Sequence, residues 1–424
     1  MKFFNFKLLI SCFILMICSP QIVLAASPYE IANSAGYTVP QKDNPKGTIV
    51  VATNGQLLYG ENIDKKWPPA SMSKLMTLYL LYEEMDKGSI SLNTKVKVTD
   101  KYYGISQLPM LSNNKFRKGA TYTVEELIKL AIVPSSNAAT YMLANLVEKD
   151  DSDFIDKMNT TAKELGMKNT HFLNAAGPPN NMLRQYKAER YQQDDDNLST
   201  ARDYAILSQK IVTEHPEILK YTKKTYITIK PGTEDEESFG TYNHSLEGAR
   251  LESKGVDGLK TGSSDTAGFN TTITAKRNNL RVVEVILGVG DWYDPPAEFN
   301  RNEMANALLD LVYSKYHYKK VLSKGVHTFK GKKFYVHDDL YDVVRDGQSG
   351  ELILKDGKVH YDYDRMFISD QYKPATVKYE DYDQYKRKKF WDDHYVTIIS
   401  TLTGSFVLGL SLLCYYFLTK SKKK

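Results

Sequence analysis

The chain has 424 residues, 42% hydrophobic and 25% charged, which is the composition of a folded globular protein rather than a disordered one. Its net charge of +5 is small for this length and gathers toward the C-terminus, so nucleic-acid binding has no support. Cys12, Cys18 and Cys414 all fall in hydrophobic terminal segments, leaving a body of about 370 residues with no disulfide framework and no thiolate metal site; it must be held by its core and is long enough for two domains.

In chain order, residues 1–25 read as a secretory signal peptide. Lys2 and Lys7 precede an apolar run over 8–17, and Val23-Leu24-Ala25 offers small residues for cleavage. The run falls short of the roughly 20 residues that a membrane span needs, and bulky Ile17 before Cys18 spoils a lipoprotein cleavage box. The body opens with a hairpin, 48–52 and 56–60, turned at Thr53-Asn54-Gly55. Helical patterns follow over 71–86, closed by Gly88, over 123–132 and over 138–147. A polar, loop-rich stretch leads to Ser199-Thr200-Ala201-Arg202-Asp203, where another helix starts. Strands return over 256–261 and as a second hairpin, 269–276 and 280–289, before a helix over 299–313. Strands, then helices, then strands again imply an α/β protein of the α+β kind: an antiparallel sheet flanked by helices, with a helical subdomain inserted.

From about 320 to 382 the texture changes to short apolar runs separated by Gly and Asp, which reads as a small all-β domain. Its histidines are spaced too irregularly for a metal site. Residues 396–418 carry no charge over about 23 positions, roughly 34 Å of helix, enough to span a bilayer. Lysines at 420 and 422–424 put the tail in the cytoplasm and the body outside. Lys386-Arg387-Lys388-Lys389-Phe390-Trp391 reads as a collar touching anionic lipid or wall polymer. The expected organisation is a signal peptide (1–25), a main domain (26–318), the β domain (319–383), the collar (384–395), a transmembrane helix (396–418) and a tail (419–424).

The chemistry is concentrated in three short motifs. Among the eight histidines no Ser-His-Asp set is apparent. Ser71-Met72-Ser73-Lys74 offers a different pair, since positions i and i+3 share a helix face and a buried lysine near a second cation loses its proton readily. Ser71 at a helix start also places free backbone N–H groups beside a developing oxyanion. Ser135-Ser136-Asn137 precedes a helix, and Lys260-Thr261-Gly262-Ser263 ends a strand. Singly, each is an ordinary surface pair, cap or strand end. In this order and spacing they resemble the penicillin-binding protein and serine β-lactamase superfamily.

Within it, "PASMSKLMT", "PSSNAA", "STARDYA", "GVDGLKTG" and "AGFN" resemble the low-molecular-mass D-alanyl-D-alanine carboxypeptidases over roughly residues 30–315. The resemblance implies that Ser71 attacks the penultimate D-alanine of a peptidoglycan stem, with Lys74 as base and Ser135 as proton relay. Asn137 would hold the substrate amide and Lys74, Lys260 would supply positive field, and Thr261 would bind the terminal carboxylate. Gly262 belongs to the substrate-binding strand, and the N–H groups of Ser71 and Ser263 would form the oxyanion hole. The implied partners are stem peptides ending in D-Ala-D-Ala and β-lactam antibiotics, with no cofactor and no metal, at a bacterial membrane on the wall side. A β-lactamase reading lacks the Glu-x-x-x-Asn arrangement: Glu164 and Glu189 are followed four positions on by Lys168 and Gln193. A β-lactam sensor would need an effector beyond the span, where only 419–424 remain in this sequence. Ser112 is a candidate for lining the cleft, and Arg184 and Arg190 for steering an anionic stem.

Overall fold

The computed structural model describes residues 26–421, so the expected signal peptide, with Cys12 and Cys18, and the last three lysines lie outside the described residues. A short helix α1 (Pro28–Ser34) leads to the hairpin β1 (Gly47–Ala52) and β2 (Leu57–Glu61). A 3₁₀ turn, Ala70–Ser73, runs directly into α2 (Lys74–Asp86). The helical block then carries β3 (Lys95–Lys97), α3 (Asp100–Ser106), β4 (Thr121–Thr123), α4 (Val124–Ile132), α5 (Asn137–Val147), α6 (Asp151–Leu165), α7 (Ala201–Glu214) and α8 (Leu219–Thr222). After the ribbon β5 (Tyr226–Ile229) and β6 (Glu237–Gly240) come β7 (Val256–Ser264), β8 (Gly268–Arg277), β9 (Leu280–Val289) and α9 (Pro296–Lys315).

The main sheet is antiparallel in the order β2-β1-β9-β8-β7. Alternate residues of its central strands point to opposite faces, and both faces are covered. Ile49, Val51, Val283 and Val285 pack toward the helical block, whereas Val50, Ala52, Val282 and Ile286 pack with Met304 and Leu308 of α9. Within the block every residue of α2 from Lys74 to Tyr82 is buried, so its uniformly apolar sequence marks a central helix rather than an amphipathic surface one.

Helix α6 lies in the stretch that read as polar loop. Its first turn is strongly acidic and masks the apolar stripe Phe154, Ile155, Met158 and Ala162. The start is nevertheless set by Asp150, whose side chain accepts from Ser152 and Asp153 N–H, and the end by Gly166 at φ +86°.

Seven further strands follow: β10 (Tyr316–Leu322), β11 (Gly325–Phe329), β12 (Lys332–Val336), β13 (Leu340–Arg345), β14 (Glu351–Lys355), β15 (Lys358–Asp362) and β16 (Val377–Asp381). β10 pairs with β13, and the others form a sheet ordered β11-β12-β16-β15-β14 around Leu322, Phe334, Val336, Leu340 and Val359. The segment between β15 and β16 reaches back to the main domain. Leu57 N–H donates to Met366 O at 2.8 Å, Ile368 N–H to Gly55 O at 2.9 Å, and Arg202 to Ile368 O at 2.9 Å. Gly55, at φ +82° in the β1–β2 turn, has no room for a Cβ, which would stand 2.2 Å from the Tyr372 ring. Finally α10 (Tyr382–Ser421) is one continuous helix of 40 residues, about 60 Å. It runs through both the expected collar and the expected span, and is long and apolar enough to cross a membrane.

Candidate active site

Ser71 sits in the 3₁₀ turn and Lys74 is the first residue of α2. In a 3₁₀ turn positions i and i+3 eclipse, and Lys74 Nζ stands 2.9 Å from Ser71 Oγ. The same amine donates to Asn137 Oδ1 at 3.0 Å and to Ala176 O at 2.8 Å. Both are carbonyl oxygens that only accept. A neutral amine has two N–H bonds, which these acceptors use, and its lone pair is left facing the Ser71 hydroxyl. Lys74 is fully buried; burial first, and the charge of Lys260 second, hold it well below the ordinary lysine pKa.

Asn137 opens α5, and its amide also donates to Ser112 O at 2.9 Å. Ser136 caps that helix, accepting from Ala139 N–H. This frees Ser135, at φ +63°, to turn its hydroxyl toward β7, where Lys260 Nζ donates to Ser135 Oγ at 3.0 Å and to Thr261 O at 3.0 Å. Burial, and after it the Arg301 guanidinium, bring Lys260 down to about 7. Thr261 follows on the strand, 7% exposed. Gly262 is where β7 passes against the Ser71 turn: a Cβ there would lie 2.4 Å from Pro69 O and 3.1 Å from Ser71 N. Ser263 lines the cleft with Ser71 and Asn137, and Met110, Trp292 and Tyr293 form its rims. Ser71, Asn137 and Ser263 thus line one cleft between the sheet edge and the helical block, and Lys74, Ser135, Lys260, Thr261 and Gly262 stand directly behind or beside them.

Several residues that hold this arrangement carry no motif. Asn197 donates to Ser73 Oγ and Asn174 O and accepts from Leu173 and Asn174 N–H, while Asn174 Oδ1 accepts from Gly177 N–H, so the pair shapes the loop that presents Ala176 O to Lys74. Arg301, 1% exposed on α9, donates to Tyr242 O, Asn270 O and Asn302 Oδ1 behind Lys260. Its signal was a cation on the same helix stripe as Ala305, Leu308 and Val312. Ser112 does line the cleft, and its carbonyl clamps Asn137. Arg190 is not among the cleft-lining residues, and its guanidinium is engaged by Asp153 and Asp156 of α6, the helix absent from the sequence reading. Arg184 is exposed in the 3₁₀ segment Asn180–Tyr186 and is not among the cleft-lining residues.

The D-alanyl-D-alanine carboxypeptidase family model matches residues 37–290, well over half of the chain and all three motifs. The chain belongs to this family. A second model, a domain of unknown function, matches residues 318–380. Among family relatives, the D-alanyl-D-alanine carboxypeptidase DacF of Bacillus subtilis is 29% identical over 270 residues, 63% of this chain and 61% of the relative's own length, less than two thirds of it. A peptidoglycan synthesis regulatory factor (PBP3) of Streptococcus pneumoniae superposes with a TM-score of 0.69 at 27% identity, covering 80% of this chain and 98% of that one. The cefotaxime-bound penicillin-binding protein D2 of Listeria monocytogenes gives 0.52 at 28% identity, covering 65% and 99%.

Proposed function

We propose that this protein is a serine D-Ala-D-Ala carboxypeptidase of the bacterial cell wall, acylated through Ser71 by stem peptides and by β-lactams. The observation that carries the reading is the fully buried Lys74 amine, 2.9 Å from Ser71 Oγ with its other two contacts spent on carbonyl oxygens. Ser71 gives its proton to Lys74 Nζ as Oγ bonds to the carbonyl carbon of the penultimate D-alanine. The oxyanion accepts from the backbone N–H groups of Ser71 and Ser263. As the C–N bond breaks, the leaving D-alanine nitrogen takes a proton through Ser135, and the acyl group stays on Ser71. Thr261 and the charged Lys260 hold the terminal carboxylate, and Asn137 the substrate amide. Water, with Lys74 again as base, frees the shortened stem; a neighbouring stem's amine in place of water would make a crosslink. The signal peptide, a bilayer-spanning α10 and a body on the wall side complete the proposal.

The test pairs fluorescent penicillin with a peptide ending in D-Ala-D-Ala. Wild-type protein is expected to label covalently and to release D-alanine, and Ser71→Ala to do neither while keeping its melting temperature. Labelling without D-alanine release marks a sensor, rapid loss of the label a β-lactamase, and labelling of Ser71→Ala overturns the assignment.

A further inference from the structure

The end of α2 opposite Ser71 holds a cluster that the proposed reaction does not use. His215 follows α7, and its side chain is 2% exposed. The ring stacks on Tyr82 with centroids 5.6 Å apart and meets Tyr79 edge-on at 5.3 Å. Its Nε2 lies 2.9 Å from Glu83 Oε1. An ionised carboxylate only accepts, so Nε2 carries a hydrogen. That Nδ1 is buried without a hydrogen-bond partner. It faces Asp86 Oδ2 at 3.5 Å and Glu217 Oε1 at 3.8 Å, two further carboxylate oxygens.

The surroundings favour a cation. Helix α2 ends at Asp86 and α7 at Glu214, so two helix C-termini, each with a partial negative charge, converge here. The nearby lysines are spent elsewhere: Lys210 on Glu214 and Lys87 on Glu84. One ligand atom from each of Glu83, Asp86 and His215 lies within 4.8 Å of the other two.

We propose that His215 Nδ1, Asp86 and Glu217 bind a divalent cation of the zinc type, with Glu83 as the outer carboxylate that orients the imidazole. Zinc–nitrogen and zinc–oxygen bonds of about 2.0 to 2.2 Å at a tetrahedral angle set ligand atoms roughly 3.4 Å apart, close to the 3.5 Å between Nδ1 and Asp86 Oδ2. Glu217, 52% exposed, is free to rotate inward. Imidazole with carboxylates suits zinc, whereas calcium and magnesium take oxygen shells. The Glu83–His215 bond is the carboxylate–histidine pairing that fixes a ligand's tautomer. A bound ion would clip the end of the helix that begins at Lys74 to the turn after α7, stabilising the fold by mass action.

The full-length protein, stripped of metal in detergent micelles, is titrated with zinc chloride against a chromophoric zinc indicator and then melted with and without zinc. One ion per chain and a raised Tm are expected. His215→Gln risks misfolding, so the exposed carboxylates carry the test: Asp86→Asn and Glu217→Gln should each weaken binding about tenfold or more and lose the Tm gain, and Glu83→Gln should cost about 10- to 100-fold. Zinc-free labelling by penicillin should match wild type in all three. The variants are needed because His244, His317 and His337 each face one carboxylate too. Wild-type affinity and Tm gain in both Asp86→Asn and Glu217→Gln, or no zinc uptake by the unaltered protein, overturns the proposal.

Discussion

Lys74 and Lys260 are both buried near a second cation, and the proposed reaction places opposite requirements on them. Lys74 acts once neutral, so raising the pH through its lowered pKa switches acylation on. Lys260 acts while charged, so raising the pH through about 7 switches it off. The pH profile of kcat/KM for penicillin acylation is therefore expected to be bell-shaped. Lys260→Arg keeps its charge and should shift the alkaline limb upward by roughly a pH unit or more; a limb that does not move assigns it to another group. Lys74→Arg should label nearly as poorly as Lys74→Ala, because guanidinium gives up no proton near neutrality. Near-normal labelling by the arginine variant would show that Lys74 supplies charge alone. The motifs were legible because most of their residues carry reactive or polar side chains within a short spacing. Asn197 was not: it acts on Ser73 across 124 positions, and an asparagine in a polar loop looks like any other. The ion pairs of Arg190 were not legible either, because they exist only once α6 does.

At the level of elements, the site depends on backbones that approach more closely than side chains would allow. Ala70, at φ +48°, and Ser135, at φ +63°, hold the left-handed conformation without being glycine, at a cost of about 1–3 kcal/mol each. Gly177, at φ +89°, lies under the first of them, where a Cβ would stand 1.9 Å from Ala70 O. Sequence patterning foresaw a helix from Ser71, which is right about the face shared with Lys74, but it could not see the 3₁₀ turn, because period alone does not separate one tight turn from the helix it feeds. It gave the edges of β8 and β9 closely, since the Asn278-Asn279 turn, with both residues at positive φ, marks where one strand ends and the next begins, and lost α6 beneath its acidic first turn. Gly262 tests the approach of β7 to the Ser71 turn. Gly262→Ala brings a Cβ 2.4 Å from Pro69 O and 2.9 Å from Met72 N, so strand and turn must part. A displacement near 1 Å costs on the order of 10²-fold in rate, and acylation should fall by about that much while far-UV circular dichroism is unchanged. Wild-type acylation would show that the turn tolerates the shift.

Over the whole molecule, the β-domain strands were readable from local runs, but their attachment to the main domain was not. Gln56 pairs with Phe367 across the chain, and no local pattern announces such a bridge. The attachment is substantial. Ile368, 1% exposed, is part of the main domain's core, and Tyr372 packs against that core and donates to Gln209 Oε1 at 2.6 Å. Gln56 Nε2 donates to Tyr363 OH at 2.6 Å, and the buried Arg365–Asp342 pair, 2.8 Å apart, fixes the reaching segment to its own domain. Two shortened chains separate an independent β domain from a structural one. A chain ending at Lys386 loses the apolar part of α10 but keeps every strand and the Tyr335–Tyr385 stack, with centroids 3.7 Å apart; it should be soluble without detergent and should acylate at the full-length rate. A chain ending at Lys315 keeps all three motifs but withdraws Ile368 from the core, about 1.5–3 kcal/mol. It also removes one hydrogen-bond partner or more from each of Gln56, Arg202 and Gln209, at about 0.5–1.5 kcal/mol for each bond. A deficit of several kcal/mol in a domain of this size lowers Tm by on the order of 10 °C. Equal melting temperatures for the two shortened chains would mean that the contacts at 363–372 add nothing to the main domain's stability, whereas the expected gap, with labelling retained below the lower transition, makes the β domain a structural brace for a site to which it contributes no catalytic residue.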